Sequence, residues 1–311
     1  YDIHITKMVS IEIYGARGSY GTDFKQSRGF GNSTTCLGLW LDKEVIFFDA
    51  GSGLPLAQET MRERSPEAVT IALSHLHHDH TSGLLGTEQM YFNPKGVEVD
   101  IIGPYKIFTG LNLEFAKFVS PIPLDILTNL RQISSLPPNH SFRTQTGQEV
   151  TSFVAGWHPS NSGLIEKDLH FDFHRDYGVQ GYIIEAERKK IVFSTDMEFR
   201  YYRDLDNNII PFTKDQTQAR INQLIRAAYG ADLLIMDGQY NELEYEKFRG
   251  YGHATFEGVY EIALAAKVKK LIITHHKPGR SDTDLFEISR RLNRRSNLEV
   301  FIAKQGSVIE V

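Results

Sequence analysis

The sequence predicts an α/β fold in which sheets are covered by helices. Short β-rich runs separated by Gly-rich turns come first along the chain, and strands that alternate with helical patterns follow. Hydrophobic residues make up 41% and charged residues 23% of 311, the balance of a soluble globular protein long enough to bury a substantial core.

Taken in order, Ser10–Tyr14 and Cys36–Leu41 alternate or run apolar, and Glu44–Asp49 reads as a buried strand ending in an acid. Val69–Leu73 is a strand that delivers the chain directly into SHLHHDH. Val97–Ile102, Thr151–Ala155, Gly181–Glu185, Lys190–Ser194, Asp232–Met236 and Lys270–Thr274 complete the strands. Helical periodicity marks Leu54–Glu63, Lys106–Phe118, Lys214–Tyr229, Phe256–Ala266 and Thr283–Leu292. Two stretches, Ser120–Gly147 and Ser160–Gly178, read as irregular loops of the kind that form lids or substrate walls. Neither has the composition of a linker, and no repeat is visible, so the expectation is one domain spanning residues 1–311.

The composition narrows the function classes. A net charge of −5 with interspersed signs does not favour a nucleic-acid partner, and no run approaches the roughly 20 apolar residues of a membrane span. No signal-peptide pattern opens the chain, so a cytoplasmic location is expected. Cys36 is the single cysteine, which excludes an intramolecular disulfide and a thiolate cage; it reads as a small apolar filler beside Leu37.

The informative segment is Ser74–Gly83. His75, His77, Asp79 and His80 fall within six positions of a chain holding twelve histidines. Imidazoles with a carboxylate are the ligands of Zn, Mn or Fe rather than of Mg or Ca. Histidines two apart can converge on one cation from a strand end, while the following Asp-His pair faces a second. A solvated His-rich loop is the alternative, disfavoured by the apolar strand before it and Gly83 after it.

HLHHDH resembles the HxHxDH signature of metallo-β-lactamase-fold hydrolases, and further motifs follow in that family's order. Asp49-Ala-Gly-Ser-Gly resembles its early Asp-x-Gly turn, His158 its third-motif histidine, Asp196 its bridging carboxylate and His275 its last histidine. The resemblance spans about Ile11 to Lys277. It implies an αββα four-layer sandwich and two divalent ions, Zn foremost with Mn as the alternative. His75, His77 and His158 would hold one ion, Asp79, His80 and His275 the other, and Asp196 would bridge them together with a water. Two such ions lower that water's pKa towards neutrality and clamp the oxyanion that forms on attack. Asp49 would fix the tautomer of a metal-binding imidazole, or merely cap its turn. His276 would point away from His275, towards either a ligand or the substrate.

Branch-level features go further. IEIYGARGSYG and FGNSTTCLGL resemble the openings of the phosphodiesterase and ribonuclease Z-like branch, and DLLIMDGQY with GYGHAT resembles its paired acid and His-Ser/Thr motif, although Glu is common where Asp237 stands. By this resemblance His253 would protonate a leaving alkoxide and Asp237 would orient it, so that Asp79, His253 and Asp237 are the catalytic candidates. The plainer account is that His253 caps the helix beginning near Thr255 and Asp237 closes a strand. Arg17, Ser19, Asn32, Ser33 and Thr34 are candidates for phosphate contact from glycine-rich turns, with turn formation as the alternative. His140, His170, His174 and Tyr177 could meet substrate from the two irregular loops; His4 carries no signal. The expected activity is cleavage of a small phosphodiester such as a cyclic nucleotide. Alternatives are tRNA 3′-processing and hydrolysis of esters, thioesters or lactones. The basic run Arg290–Arg295 could serve RNA but reads more simply as a charged helix face. A non-catalytic scaffold would be expected to have lost ligands, and a homodimer is a family expectation.

Overall fold

The computed structural model describes residues 9–86, 96–117, 120, 123–124, 127, 129–156, 178–203 and 208–311. Two seven-stranded mixed sheets face each other. The first runs β16 (Val308–Glu310), β1 (Ser10–Gly15), β2 (Cys36–Trp40), β3 (Glu44–Phe48), β4 (Ala68–Ala72), β5 (Val99–Gly103) and β6 (Leu130–Ser135). The second runs β15 (Glu299–Ile302), β14 (Lys270–Thr274), β13 (Leu233–Asp237), β10 (Lys189–Ser194), β9 (Val179–Ala186), β8 (Glu149–Gly156) and β7 (Ser141–Arg143). A small hairpin of β11 (Tyr201–Arg203) and β12 (Ile209–Pro211) follows β10.

Ile11, Ile13, Leu37, Leu39 and Phe48 of the first sheet pack on Ile184, Ile191, Phe193, Ile235 and Ile272 of the second, forming the central core. Phe48 and Phe193 stack across it, 4.8 Å apart and 14° from parallel. Each such ring contributes about 1.5–3 kcal/mol by burial, and an offset pair adds about 0.5–1.5 kcal/mol. The outer faces are apolar as well, which is why β3, β4 and β13 read as continuous apolar runs rather than alternating ones. Helices α1 (Ala57–Arg64) and α3 (Ile107–Glu114) cover the first sheet, with Ala57, Met61, Ile107 and Leu111 against Val45, Val69 and Ile101; the short α2 (His78–Thr81) lies between them in sequence. Helices α4 (Lys214–Ala228), α6 (Phe256–Ala265) and α7 (Asp282–Asn293) cover the second through Leu224, Val259, Leu285 and Leu292. The αββα sandwich is thus present.

Each helix on that outer face starts at a residue chosen for it. Thr213 and Gln216 form a capping box for α4, as Asn241 and Glu244 do for α5 (Glu242–Phe248). Thr255 and Ser281 accept from Gly258 and Asp284 at the starts of α6 and α7. The cap of α6 is therefore Thr255 and not His253.

One expectation fails. Ser120–Gly147 is not an irregular loop, since it carries β6 and β7, the edge strand of each sheet. Both are half-exposed and short on apolar residues, so their pattern hides among turn residues. Most of the second irregular stretch, 160–178, lies outside the described residues, as do His158, His170, His174, Tyr177 and His4. Cys36 is fully buried as a core filler. Among the described residues no helix is long and apolar enough to cross a membrane.

Candidate metal centre

The parallel strands β3 and β4 of one sheet, and β10, β13 and β14 of the other, all end on the same group of polar side chains. Asp49 follows β3, Ser74–His75 follow β4, Asp196 follows β10, Asp237 ends β13 and His275 follows β14. Asp49, Asp196 and His275 have φ of 57°, 49° and 59°, a left-handed conformation uncommon for residues with a side chain. It is tolerated where the surroundings enforce it, and such positions gather at functional sites. Here it turns the chain sharply off each strand end.

Among the described residues three donor groups emerge, each with its ligand atoms within 4.8 Å of one another: His75, His77 and Asp196; Asp79, His80 and His275; and Asp196, His253 and His275. Nε2 of His75 lies 2.7 Å from Nδ1 of His77. Nε2 of His275 lies 3.2 Å from Nε2 of His80, 3.1 Å from Asp196 Oδ1 and 3.3 Å from Asp79 Oδ2. His75, His80, Asp196 and His275 are almost wholly buried. Facing imidazole nitrogens with two carboxylates between them form a donor set that fits cations, which would complete the lone pairs that protons alone cannot. His78, by contrast, points outward beside Glu114.

The electrostatics follow from burial and proximity. Burial opposes ionisation of Asp196 and Asp79, but His275 and His80 outweigh it and hold both carboxyls far below the usual range. The same attraction, against burial, lifts His80 well above an ordinary imidazole. His77 is pushed down, chiefly by burial.

A buried layer supports these groups. Asp49 Oδ2 lies 2.7 Å from His80 Nδ1 and accepts from Ser74 Oγ at 3.0 Å, while Oδ1 accepts from the Ser74 amide at 2.7 Å. Ser74 Oγ in turn lies 2.9 Å from His75 Nδ1. Asp49 thus orients His80 directly and His75 through Ser74, more than the turn cap of the simpler account. The Ser19 amide donates to Asp79 Oδ2 at 2.6 Å, with Ser19 itself at φ 63°. His253 Nδ1 lies 3.2 Å from Asp237 Oδ2 and 3.8 Å from Asp196 Oδ2. Burial lowers the pKa of His253, but Asp196 and Asp237 outweigh it and the net shift is upward. Asp237 is raised, mainly by burial, and its Oδ1 is buried without a hydrogen-bond partner among the described residues.

Several sequence expectations change. Arg17 cannot meet a phosphate: its guanidinium is fully buried and donates to the carbonyls of Gly31, Arg280 and Ser27. Asn32 and Thr34 are occupied in their turns, accepting from Ser27 and pairing with Ser52, and Ser33 gives its carbonyl to the Ala16 and Arg17 amides. His276 does not face substrate. It is buried with Nε2 on the Ala303 carbonyl, and burial beside Arg17 depresses it to about 3. His140 is exposed, with Nδ1 near the Pro138 carbonyl. In the basic run, Arg291 and Arg295 pair with Glu257 and Glu261 of α6, as a charged helix face does. Ser74, Gly18 and Gln239 escaped notice because a serine, a glycine and a glutamine carry no motif of their own.

The comparisons with known proteins bear on the family and the fold. The profile of the Beta-lactamase superfamily domain matches residues 45–276. A ribonuclease Z of Thermoplasma acidophilum is 25% identical over 301 residues, covering 91% of each chain. Among solved structures, the metallo-β-lactamase fold protein YhfI of Bacillus subtilis has a TM-score of 0.66 at 17% identity, covering 98% of this chain and all of that one. The Zn(2+)-bound PqqB of Methylobacterium extorquens has a TM-score of 0.65 at 15% identity, covering 97% and 100%. With three-quarters of its length inside that profile and its polar strand ends gathered as described, the chain belongs to the beta-lactamase superfamily, on the ribonuclease Z-like side.

Proposed function

We propose that this metal-dependent hydrolase cleaves phosphodiesters, with small diesters such as cyclic nucleotides as the favoured substrate class. The observation that carries the reading is the buried His253–Asp237 pair, 3.2 Å apart, beside Asp196. A thiolate or a p-nitrophenolate leaves without a proton, whereas an alkoxide expelled from a phosphodiester calls for a proton donor beside the ligand cluster.

In this reading His75 and His77, with His158 from outside the described residues, would hold one divalent ion, and Asp79, His80 and His275 would hold a second, with Asp196 a candidate ligand of either. Two such ions, Zn or Mn, supply Lewis acidity that brings a water's pKa towards neutrality and neutralises phosphoryl oxygens. The chain's own part is to fix the donors and to move a proton. Asp49 holds His80 with Nδ1–H outward and Nε2 inward. Asp237 pairs with His253 Nδ1 and favours the protonated ring, which in this reading passes a proton to the departing oxygen. A cavity of about 480 Å³ borders His253, walled by Phe199, Ile221, Ile225 and Ile262 with Glu198 and Thr217.

The near full-length likeness to a ribonuclease Z favours a second reading, cleavage of RNA by the same chemistry. The test of the shared claim is His253→Ala on the metal-loaded protein. Loss of about 10²–10⁴-fold on alkyl diesters, with less than tenfold on p-nitrophenyl diesters whose leaving group needs no proton, is the expected result. Equal losses on both would remove the acid role. A parallel comparison of cyclic nucleotides with an RNA 3′ trailer separates the two substrate classes.

A further inference from the structure

The imidazoles His75, His80 and His275 beside Asp196 are not supported alike. His80 and, through Ser74, His75 both depend on Asp49. His275 does not. Its Nδ1 lies 2.8 Å from Oε1 of Gln239, a fully sequestered side chain on the loop after β13. An amide oxygen only accepts, so Nδ1 must carry the proton and Nε2 must present its lone pair to Asp79, Asp196 and His80. Nε2 of Gln239 in turn donates to the Tyr240 hydroxyl at 3.1 Å, which completes the amide's pairing in this orientation. The main chain is held as well: the Gln239 carbonyl accepts from Arg280 Nη2 at 2.8 Å, its amide donates to Ala254, and the Arg280 carbonyl accepts from Arg17.

Gly18 closes the arrangement from the other side. Its amide donates to the His276 carbonyl, and a Cβ there would stand 2.2 Å from Cε1 of His275, 2.3 Å from its Nδ1 and 2.8 Å from Gln239 Oε1. The ring of His275 is thereby confined between a glycine backbone and one amide oxygen. Where His80 leans on a carboxylate, His275 leans on a neutral amide, which fixes the tautomer without adding negative charge.

From this we propose that Gln239 is the positioning residue of the second metal site, setting the tautomer and orientation of His275. The proposal rests on the two-ion reading above. It is tested by titrating the metal-stripped full-length protein with Co²⁺, followed by visible absorbance. Wild type should bind two ions in resolvable steps. Gln239→Met keeps the volume and loses the acceptor; it should leave the first step unchanged, weaken the second about 10- to 100-fold and alter the second-step spectrum. Gln239→Glu restores an acceptor and should recover second-step affinity. Should Gln239→Met fail to fold, Tyr240→Phe, which only unlocks the amide, should give a smaller second-step loss. A wild-type-like titration of whichever of these variants folds, an equal loss in both steps, or a Gln239→Glu variant as weak as Gln239→Met would overturn the role of Gln239. Wild type stopping short of two ions would overturn the two-ion reading itself, a distinguishable failure.

Discussion

Replacing Asp49 with Asn changes one atom for another of nearly equal size, and the structure says what should follow. Oδ1 of Asp49 accepts the Ser74 amide, and Oδ2 faces both Ser74 Oγ at 3.0 Å and His80 Nδ1 at 2.7 Å. With the carbonyl of Asn kept on the amide, an NH₂ group would confront His80 Nδ1–H. The conflict is relieved by moving the imidazole proton to Nε2, the atom that faces Asp79, Asp196 and His275. A protonated Nε2 cannot ligate. Loss of such a supporting partner costs about 10–100-fold in metal affinity, or about 1.4–2.8 kcal/mol. Ser74 loses part of its grip as well, so His75 should be disturbed and the other ion weakened to a lesser degree. Competition titration with a chromophoric chelator, with Zn²⁺ and wild type alongside, measures both steps. Unchanged affinity in a folded Asp49→Asn variant would refute the tautomer argument and return Asp49 to a turn-forming role.

Other consequences follow from the same contacts. Gly18→Ala should destabilise the protein by about 1–3 kcal/mol and weaken the second ion, because the added methyl would collide with the His275 ring and Gln239 Oε1; denaturant unfolding and metal titration read the two effects. His276 is held near 3, below the ordinary imidazole value, by burial and by Arg17. A base whose folded pKa is depressed contributes stability above its unfolded value of about 6.5 that is lost as pH falls towards 3, at most about 5 kcal/mol over that window. His276→Gln should therefore flatten the loss of stability between pH 6.5 and 4 relative to wild type, measured by urea denaturation; parallel curves would show that another group sets the acid limb.

Much of this was legible from the sequence, for physical reasons that can be named. Apolar runs such as Glu44–Phe48 and Leu233–Asp237 are buried on both faces, and a buried strand that ends in an acid or histidine announces a site at its tip. Edge strands announce much less. Leu130–Ser135 and Ser141–Arg143 are half solvated, so polar and turn residues fill them and their periodicity fades. Arg17 misled because a buried arginine that gathers three carbonyls looks, in sequence, like one reaching for phosphate. Gln239 was invisible for the opposite reason. Its role depends on a contact with His275, 36 positions away, that no local pattern encodes.

Phosphodiester cleavage by a loaded metal centre is the central claim. Hydrolysis of bis(p-nitrophenyl) phosphate by the purified, Zn- or Mn-loaded protein, with metal content determined on the same sample and Asp196→Ala beside it, tests that directly. Metal-dependent turnover with two ions per chain, lost in the Asp196→Ala variant, is the predicted result. Full occupancy with no turnover would contradict it and redirect the search to carboxylic esters, thioesters and lactones.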